Sequence, residues 1–283
     1  MEVLVLGAGG MAGHMIAIYL QEAGYRVTGF ARSPLSFCET IVGDATSQER
    51  IWSAVTRKPF DAVINCIGVL NKAVDQNVAD GIYLNSYLPH YLVNCLKGTA
   101  ARVIHLSTDC VFSGRQGNYR EDSFKDGETL YDITKSLGEI DDGRNLTFRA
   151  SIIGPDMRKK GMGLLNWFLQ QKETVNGFTG AIWTGVSTYT LAQAIDHALK
   201  EKLTGLYHLV NNTRISKYDL LQLINRMIRE EAITIIPSDA VQVDKSLVNN
   251  RTDFRLQVPT YEQMMMDTKE WMRAHRELYP HYH

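Results

Sequence analysis

The chain has 283 residues, a formal net charge of −1 and 22% charged residues, which excludes the strongly basic surface of a nucleic-acid-binding protein. Its start lacks the basic and apolar regions of a signal peptide. No run approaches the roughly 20 apolar residues of a membrane span. The cysteines at positions 38, 66, 95 and 110 show no metal-ligand spacing. We therefore expect a cytoplasmic protein with reduced thiols, no metal site, and neither a nucleic-acid nor a membrane partner.

The first strand and the loop after it predict a nucleotide site. Residues 3–6 form a short apolar run, typical of a buried parallel strand, and a helix is predicted over 14–23. Between them lies the pattern Gly7-x-x-Gly10-x-x-Gly13. Glycines in such a turn let the backbone approach a pyrophosphate at a helix N-terminus, whereas the alternative is a purely structural turn. The predicted cofactor-binding residues of this loop are Gly7, Gly10, Met11, Ala12 and Gly13.

The second predicted strand, residues 26–31, ends in Arg32 and Ser33. A site that prefers NAD places an acidic residue there, to accept a hydrogen bond from the ribose 2′-hydroxyl. An arginine can instead pair with a 2′-phosphate, although a solvated loop arginine is the alternative. We therefore predict NADP(H) ahead of NAD(H), with Asp44 and Ala45 next to the adenine.

Alternating strands and helices predict the fold of residues 1–150. Further strands are predicted over 60–68, 102–107 and 145–149, with a long helix over 75–96. This pattern is typical of a Rossmann-like, doubly wound parallel sheet, in which ligands bind at the carboxyl ends of the strands. The residues predicted to reach the cofactor from those ends are Cys66, Ile67, Gly68 and Ser107.

The pattern changes after residue 150, so residues 151–283 are predicted to form a smaller α/β substrate lobe, segments of which can return to the first domain. Residues 177–185 are rich in glycine and aromatic residues and are expected to be irregular, and the tail, 279–283, is expected to be disordered. The other predicted elements are helices over 161–171, 187–199, from 216 onward and over 260–276, and a strand over 205–210.

Tyr131 and Lys135 are four residues apart, which places them one turn apart on one face of a helix. A nearby ammonium lowers the pKa of a phenol towards neutrality, so that the tyrosine can give a proton to an oxygen that is becoming an alkoxide. Such a pair also occurs by chance on solvated helices. Its place after the strand that delivers Thr108 favours catalysis by Thr108, Tyr131 and Lys135.

Together these motifs resemble the extended short-chain dehydrogenase/reductases. Residues 106–114, 131–139, 148–154 and 205–209 are similar to the dTDP-4-dehydrorhamnose reductase branch, which are nucleotide-sugar 4-ketoreductases. The resemblance implies that Tyr131 donates a proton to the sugar C4 oxygen. It also implies that Lys135 hydrogen-bonds the nicotinamide ribose, and that Thr108 steadies the ketone oxygen, with Ser107 beside it.

The chain departs from that pattern at two positions close to the motifs. Asp132 replaces the usual glycine after the tyrosine, and Cys110 replaces an aromatic residue. Related 4,6-dehydratases carry an Asp-Glu pair where this chain has Asp109 and Cys110, which argues against dehydration. Candidate substrate-binding residues are Thr108, Asp109, Cys110, Lys245 and Arg251, whereas His105 and His208 are interpreted as core histidines.

The sequence thus predicts an NADPH-dependent oxidoreductase that reduces the C4 ketone of a nucleotide-linked 4-keto-6-deoxy sugar in deoxysugar or polysaccharide biosynthesis. Three alternatives stay open: an epimerase-reductase that uses Cys110, a 4-epimerase, and a non-catalytic NADP-binding regulatory subunit. The nucleotide, the sugar, the C4 stereochemistry and the oligomeric state, including a possible homodimer, are not determined by the sequence.

Overall fold

A computed structural model describes residues 1–253 and 255–282 of the chain. The strands are β1 (Glu2–Leu6), β2 (Arg26–Ala31), β3 (Glu39–Val42), β4 (Ala62–Asn65), β5 (Arg102–Ser107), β6 (Leu146–Arg149), β7 (Ser151–Ile153), β8 (Val175–Trp183), β9 (Gly185–Ser187), β10 (Gly205–His208), β11 (Ile215–Ser216) and β12 (Ile235–Asp244). The α-helices are α1 (Met11–Glu22), α2 (Gln48–Thr56), α3 (Asn71–Gln76), α4 (Val78–Gly81), α5 (Leu88–Cys95), α6 (Leu130–Leu137), α7 (Leu164–Leu169), α8 (Thr188–Glu201), α9 (Lys217–Ile228) and α10 (Tyr261–Ala274).

Seven parallel strands form the central sheet in the order β3-β2-β1-β4-β5-β6-β10. The predicted Rossmann-like, doubly wound sheet is thereby confirmed, with β3 as an additional edge strand. The strand order reverses between β1 and β4, which is where a crevice for ligands opens at the carboxyl edge of such sheets. β10 pairs with β6, so a segment from beyond residue 151 returns to the first sheet.

Helices cover both faces of the sheet because its buried strands are apolar on both sides. Val3 and Val5 face the core under α1, α8, α9 and α10, whereas Leu4 and Leu6 face the core under α2 and α5. Strand alternation sends successive side chains to opposite faces. Each fully buried aliphatic side chain contributes roughly 1.5–3 kcal/mol to stability, so the sheet is a rigid support for the loops at its carboxyl edge.

The segment 177–185 is not irregular as expected. It belongs to β8 and β9; β8 lies between β11 and β12 in a second, three-stranded sheet, and β9 pairs with β7. Glycines there make room for neighbouring side chains: a Cβ at Gly180 would lie 2.2 Å from Gln242 Oε1, and one at Gly177 would lie 2.8 Å from a ring carbon of Tyr218. Such close approaches are a known use of glycine in strands.

The predicted long helix over 75–96 is also interrupted. It divides into α3, α4, a π-helical turn over Ile82–Tyr87 and α5. The length of this segment suggested a single helix. Instead the chain breaks at Asn77, which caps α4 by accepting from the Asp80 N–H at 3.1 Å. The π-helical turn brings Asn85 against the active-site helix described below.

The tail is ordered up to Tyr282, contrary to the expected disorder. Tyr279 is fully buried, its hydroxyl donates to His14 Nε2 at 2.8 Å, and Trp271 Nε1 donates to that hydroxyl at 3.0 Å. Two hydrogen bonds and burial fix the segment against α1, which outweighs the disorder common at chain ends. His283, the last residue of the predicted tail, lies outside the described residues.

Candidate active site

The glycine loop after β1, the glycine cradle, is a tight turn that leads directly into α1, as predicted for a pyrophosphate site. Gly7 has φ +75°, the left-handed region that glycine adopts without strain, and its carbonyl accepts from the Gly10 N–H at 2.9 Å. A Cβ at Gly13 would lie 2.1 Å from the Gly7 oxygen, so only glycine lets α1 pack on this loop. Gly10 caps α1 without a side-chain acceptor. The first N–H groups of the helix, at Met11, Ala12 and Gly13, therefore remain available for an anion.

The ends of β2 and β3 form an open polar pocket of about 410 Å³, lined by Arg32, Val42, Gly43, Asp44 and Arg50. Asp44 caps its own turn, because its carboxylate accepts from the backbone N–H of Thr46 at 2.9 Å. Arg50, from the first turn of α2, was not predicted as a residue of this pocket. The local signal that could have placed it there is the N-cap Ser47, whose side chain accepts from the Arg50 N–H. Two arginines in one pocket suit a phosphate better than a hydroxyl.

Two predicted cofactor residues flank that pocket. Ser33 is exposed after Arg32, and Ala45 packs partly buried against the core under α2.

The end of β4 lies against the glycine cradle. The backbone of Cys66 and the side chain of Ile67 lie 3.1–3.3 Å from where a Gly7 Cβ would be, and burial raises the pKa of the Cys66 thiol to about 12. The next turn is fixed by Asn85, which accepts from the Val69 N–H at 2.8 Å and donates to the Val69 carbonyl at 2.9 Å. Asn85 was missed by sequence reasoning because its position depends on the π-helical turn.

The helix that carries the predicted catalytic pair, α6, begins with a capping box. Thr129 accepts from the Asp132 N–H at 3.1 Å, and the Asp132 carboxylate accepts from the Thr129 N–H at 3.2 Å. This reciprocal pair explains Asp132, the residue that departs from the usual glycine: it fixes where α6 starts. Asn85 also donates to Thr134 at 3.2 Å, which ties α6 to the turn after β4.

Tyr131 and Thr108 lie together at the carboxyl edge of β5. Tyr131 is 8% exposed, and burial raises its pKa above the ordinary value, although the Thr108 hydroxyl beside it acts in the opposite direction. The predicted lowering of this pKa is thus wrong for the protein alone, because loss of solvent around the phenol dominates. A raised pKa favours the protonated phenol near neutral pH.

Lys135 is buried one turn further along α6. Its Nζ donates to the Leu106 carbonyl at 2.7 Å and lies 3.4 Å from His105 Nε2. Burial lowers the pKa of Lys135 to about 8. His105 is fully buried, and its Nδ1 accepts from Asn65 at 3.2 Å, so the side chain is part of the core directly beneath Lys135.

Ser107 belongs to a buried network behind the site. Its hydroxyl donates to Glu139 at 2.6 Å, and Arg149 donates to both oxygens of the same carboxylate at 2.7 Å. Burial acts to raise the pKa of Glu139, but the bonds from Arg149 and Ser107 leave it below its ordinary value. Arg149 also donates to the buried His208 at 2.7 Å. Ser107 therefore holds the end of β5 in place and has no free hydroxyl proton for the cofactor.

Among the predicted substrate residues, the structure brings Asp109, Cys110 and Lys245 together and separates Arg251. The Lys245 ammonium acts on both Asp109 and Cys110. Arg251 instead donates to the Thr204 carbonyl at 2.7 Å, at the amino end of β10 and thus at the opposite edge of the sheet. Arg251 also donates to the Leu206 carbonyl at 3.0 Å and pairs with Asp253, so this placement does not support its predicted contact with substrate.

A second lysine near Asp109 and Cys110 was missed. Lys217, the first residue of α9, lies with its Nζ 4.7 Å from the centre of the Trp183 ring. Asp109 and Cys110 both act on its ammonium. Nothing in the local sequence marked Lys217, because only the pairing of β11 with β8 carries it to the site.

Two further features of the described residues bear on partners. No helix in that part of the chain is both long enough and apolar enough to cross a bilayer. Over the same residues, no group of three or more His, Cys, Asp or Glu side chains is placed to hold a metal ion.

A family model for the RmlD substrate binding domain matches residues 1–281. The chain belongs to this family. Membership, with the glycine cradle and the Thr108, Tyr131 and Lys135 cluster, makes the protein an enzyme, an NAD(P)-dependent oxidoreductase, and confirms the resemblance drawn from the motifs.

Individual relatives are distant. The spore coat polysaccharide biosynthesis protein SpsK of Bacillus subtilis is 27% identical over 232 residues, which is 79% of this chain and 78% of that protein. The dTDP-4-dehydrorhamnose reductase of Streptomyces griseus is 33% identical over 140 residues, 48% of this chain and 43% of the relative. Among solved structures, the dTDP-4-dehydrorhamnose reductase of Bacillus anthracis in complex with NADP has a TM-score of 0.80 at 18% identity, covering 94% of this chain and 98% of that one. This last similarity supports the fold.

Proposed function

We propose that the protein uses NADPH to reduce the C4 ketone of a nucleotide-linked 4-keto-6-deoxy sugar. The observation that carries the proposal is the placement of the Tyr131 and Thr108 hydroxyls at one edge of the sheet, beside the glycine cradle. The two hydroxyls lie in hydrogen-bond contact with each other, and the Thr108 hydroxyl donates to Asp109 at 3.1 Å until a substrate oxygen replaces that acceptor. Adjacent hydroxyls suit an oxygen on which negative charge grows. The names of the relatives, dTDP-4-dehydrorhamnose reductases and a polysaccharide biosynthesis protein, support the same substrate class.

The chain's own residues have distinct roles in this reaction. NADPH, when bound, supplies the hydride. Tyr131 gives its proton to the C4 oxygen, and Thr108 donates a hydrogen bond to the same oxygen. Lys135, one turn from Tyr131, provides positive charge that compensates the phenolate left after proton transfer. Burial of Tyr131 keeps water from the proton donor.

The pocket at the end of β2 supports NADPH as the preferred cofactor. Arg32 and Arg50 line it together, and neither forms an ion pair with a carboxylate among the residues that the structure describes. The Arg32 charge acts on Asp44 in the same pocket, but without a close ion pair, and a 2′-phosphate supplies a direct anionic partner. The solved relative from Bacillus anthracis was crystallised with NADP, which agrees with this choice.

The geometry weighs against an epimerase-reductase that uses Cys110. Burial, followed by the Asp109 charge, raises the pKa of the Cys110 thiol to about 12. A thiol with such a pKa stays protonated near pH 7. It therefore offers almost no thiolate that could remove a proton beside the ketone. We interpret Cys110 as a packing residue of the pocket. A non-catalytic regulatory role is disfavoured by the intact Thr108, Tyr131 and Lys135.

The test is NADPH oxidation with a panel of 4-keto-6-deoxy sugars attached to dTDP, UDP, GDP and CDP. We expect oxidation with at least one member, which also names the nucleotide. Tight NADPH binding without oxidation across the panel would contradict the proposal and favour a binding protein that lacks turnover.

A further inference from the structure

Two lysines from beyond β10 face the turn that follows β5. Lys217 begins α9, and Lys245 directly follows β12. The charges of both ammonium groups favour the ionised form of Asp109, against the burial that raises its pKa. Asp109 directly follows Thr108, and the Asp244 N–H, next to Lys245, donates to the Gly114 carbonyl at 2.8 Å. The end of β12 is thereby tied to the segment that follows Thr108, beside which the reduction is proposed to occur.

Neither ammonium forms a close ion pair in the part of the chain that the structure describes, although both act on Asp109 at longer range. Among the described residues, no carboxylate oxygen lies within 4.0 Å of either Nζ and neither Nζ makes a hydrogen bond. Neighbouring cations differ in this respect, because Arg214 pairs with Asp244 at 2.9 Å and Arg149 pairs with Glu139 at 2.7 Å. Two ammonium groups act on the single carboxylate of Asp109, so this cluster keeps an excess positive charge.

Both side chains are held in place by packing. The Lys217 ammonium lies over the ring of Trp183, which is 3% exposed and packs against Tyr261 at 5.7 Å between ring centres. Gly185 makes room for this ring, because a Cβ there would lie 2.1 Å from Trp183 Cζ2. The Lys245 stem packs over Gly114, with Cγ 2.9 Å from where a Cβ would be. The cations are thus positioned in advance of any ligand.

Stability does not account for this arrangement. Lys217 is only partly exposed, and burial lowers its pKa to about 8. Holding a cation in such a place without an acceptor destabilises the folded state. Residues kept at a cost in stability are common where a ligand binds.

We propose that Lys217, together with Lys245, binds the diphosphate of the nucleotide sugar, an inference that rests on the proposed function. The diphosphate is the strongly anionic part of such a substrate, and lysine is a frequent phosphate ligand. Because the net charge of the chain is −1, the overall field does not attract an anion, so local cations must hold it.

The experiment measures binding of dTDP, UDP, GDP and CDP to the protein saturated with NADPH, by titration calorimetry. Lys217→Met keeps the length of the side chain and removes the charge. We expect the dissociation constant of the tightest nucleoside diphosphate to rise about tenfold or more, the scale of one charge-assisted hydrogen bond. NADPH binding should stay unchanged, and the thermal midpoint should be equal or higher. The matched control is Lys269→Met on the exposed side of α10, which should change none of these values.

An unchanged dissociation constant in Lys217→Met would overturn the proposal, as would absence of binding of all four nucleoside diphosphates to the wild-type protein. The proposed reduction is tested in a separate assay, the oxidation of NADPH with the panel of nucleotide sugars. Binding that depends on Lys217 without turnover of any nucleotide sugar would refute the reduction and leave the diphosphate contact standing. Turnover together with unchanged binding in Lys217→Met would refute the contact alone.

Discussion

The residues before and after position 150 build the two sides of the site by different means. On the cofactor side, Gly7, Arg32, Cys66 and Ser107 all lie at or just beyond the ends of parallel strands, so the topology of one sheet brings them to one edge. On the substrate side, Lys217 begins the helix α9, which directly follows β11, a strand of a separate three-stranded sheet. The cofactor side follows from a general rule of parallel sheets, whereas the substrate side depends on pairings specific to this chain.

Charge pairing differs between the two sides as well. Behind the cofactor side, Arg149 and Glu139 form a buried pair. On the substrate side, Lys217 and Lys245 stay without such partners among the residues that the structure describes. The buried pair makes the first side rigid, and under our proposal the second side receives an anion.

Removal of the buried pair gives the largest expected effect. Glu139→Leu leaves Arg149 buried without its carboxylate, and we expect a loss of about 3–5 kcal/mol in the free energy of unfolding, measured with urea. The matched control is Glu128→Leu, which removes an exposed pair with Arg115 and should cost at most about 1 kcal/mol. Similar losses in the two variants would show that the network behind the site does not stabilise it.

Tyr131→Phe should affect chemistry and not cofactor binding. Loss of the proton donor should lower kcat by a factor of about 10² or more, the scale of general acid catalysis, with the NADPH dissociation constant unchanged. Tyr87→Phe, at an exposed position, is the control. A Tyr131→Phe enzyme with wild-type kcat would remove this residue from the mechanism.

Arg32→Ala should separate the two cofactors. We expect NADPH affinity to fall about tenfold or more, because a charge-assisted bond to the 2′-phosphate is lost, while NADH affinity stays the same. Arg50→Ala should show a smaller loss in the same direction, and Arg57→Ala, just after α2, should show none. Equal losses for NADPH and NADH in Arg32→Ala would contradict the phosphate contact.

The smallest expected effect is on the pH dependence of stability and comes from buried histidines such as His14, which contacts Tyr279, and His208, which contacts Arg149. Burial lowers the pKa of His14 to about 4 and that of His208 to about 3, from an ordinary value of 6.5. Below pH 6.5 the unfolded chain binds protons that the folded chain does not. The stability that the neutral histidines contribute is therefore fully present above pH 6.5 and is lost as the pH is lowered towards the folded-state pKa values. Each histidine contributes a slope of about 1.4 kcal/mol per pH unit.

Urea unfolding between pH 6.5 and 5 measures that slope. Burial also lowers the pKa of His105 well below 6.5, so three histidines share this slope. His14→Gln should therefore flatten it by about a third, whatever its own effect on stability at neutral pH. A wild-type protein whose stability stays constant over this range would show that these histidines are not held neutral.

Much of the cofactor side could be predicted from sequence because its signals are local. Gly7, Gly10 and Gly13 follow an apolar strand directly, and Tyr131 and Lys135 share one helical turn. The pKa of Tyr131 could not be predicted in direction, because burial depends on which elements cover the phenol. Asp132 departed from the expected pattern, yet the Thr129-x-x-Asp132 spacing is itself a local capping signal.

The substrate side was less predictable for a physical reason. Gly177, Gly180 and Gly185 suggested an irregular segment. Each one instead makes room for a neighbouring side chain, those of Tyr218, Gln242 and Trp183 respectively. Lys217 reaches the site only through the pairing of Ile215 with Trp183. Contacts of this kind have no periodic signature, since they depend on register between separate segments.

The most direct test of the proposed reduction uses NADPH deuterated at the transferable position of nicotinamide C4, together with the sugar nucleotide that supports oxidation. The product is examined by NMR. Hydride transfer to the ketone predicts one deuterium at C4 of the sugar for each NADPH oxidised. A product with no deuterium at C4, or with the label returned to the cofactor and no net oxidation, would contradict the account and favour an epimerase.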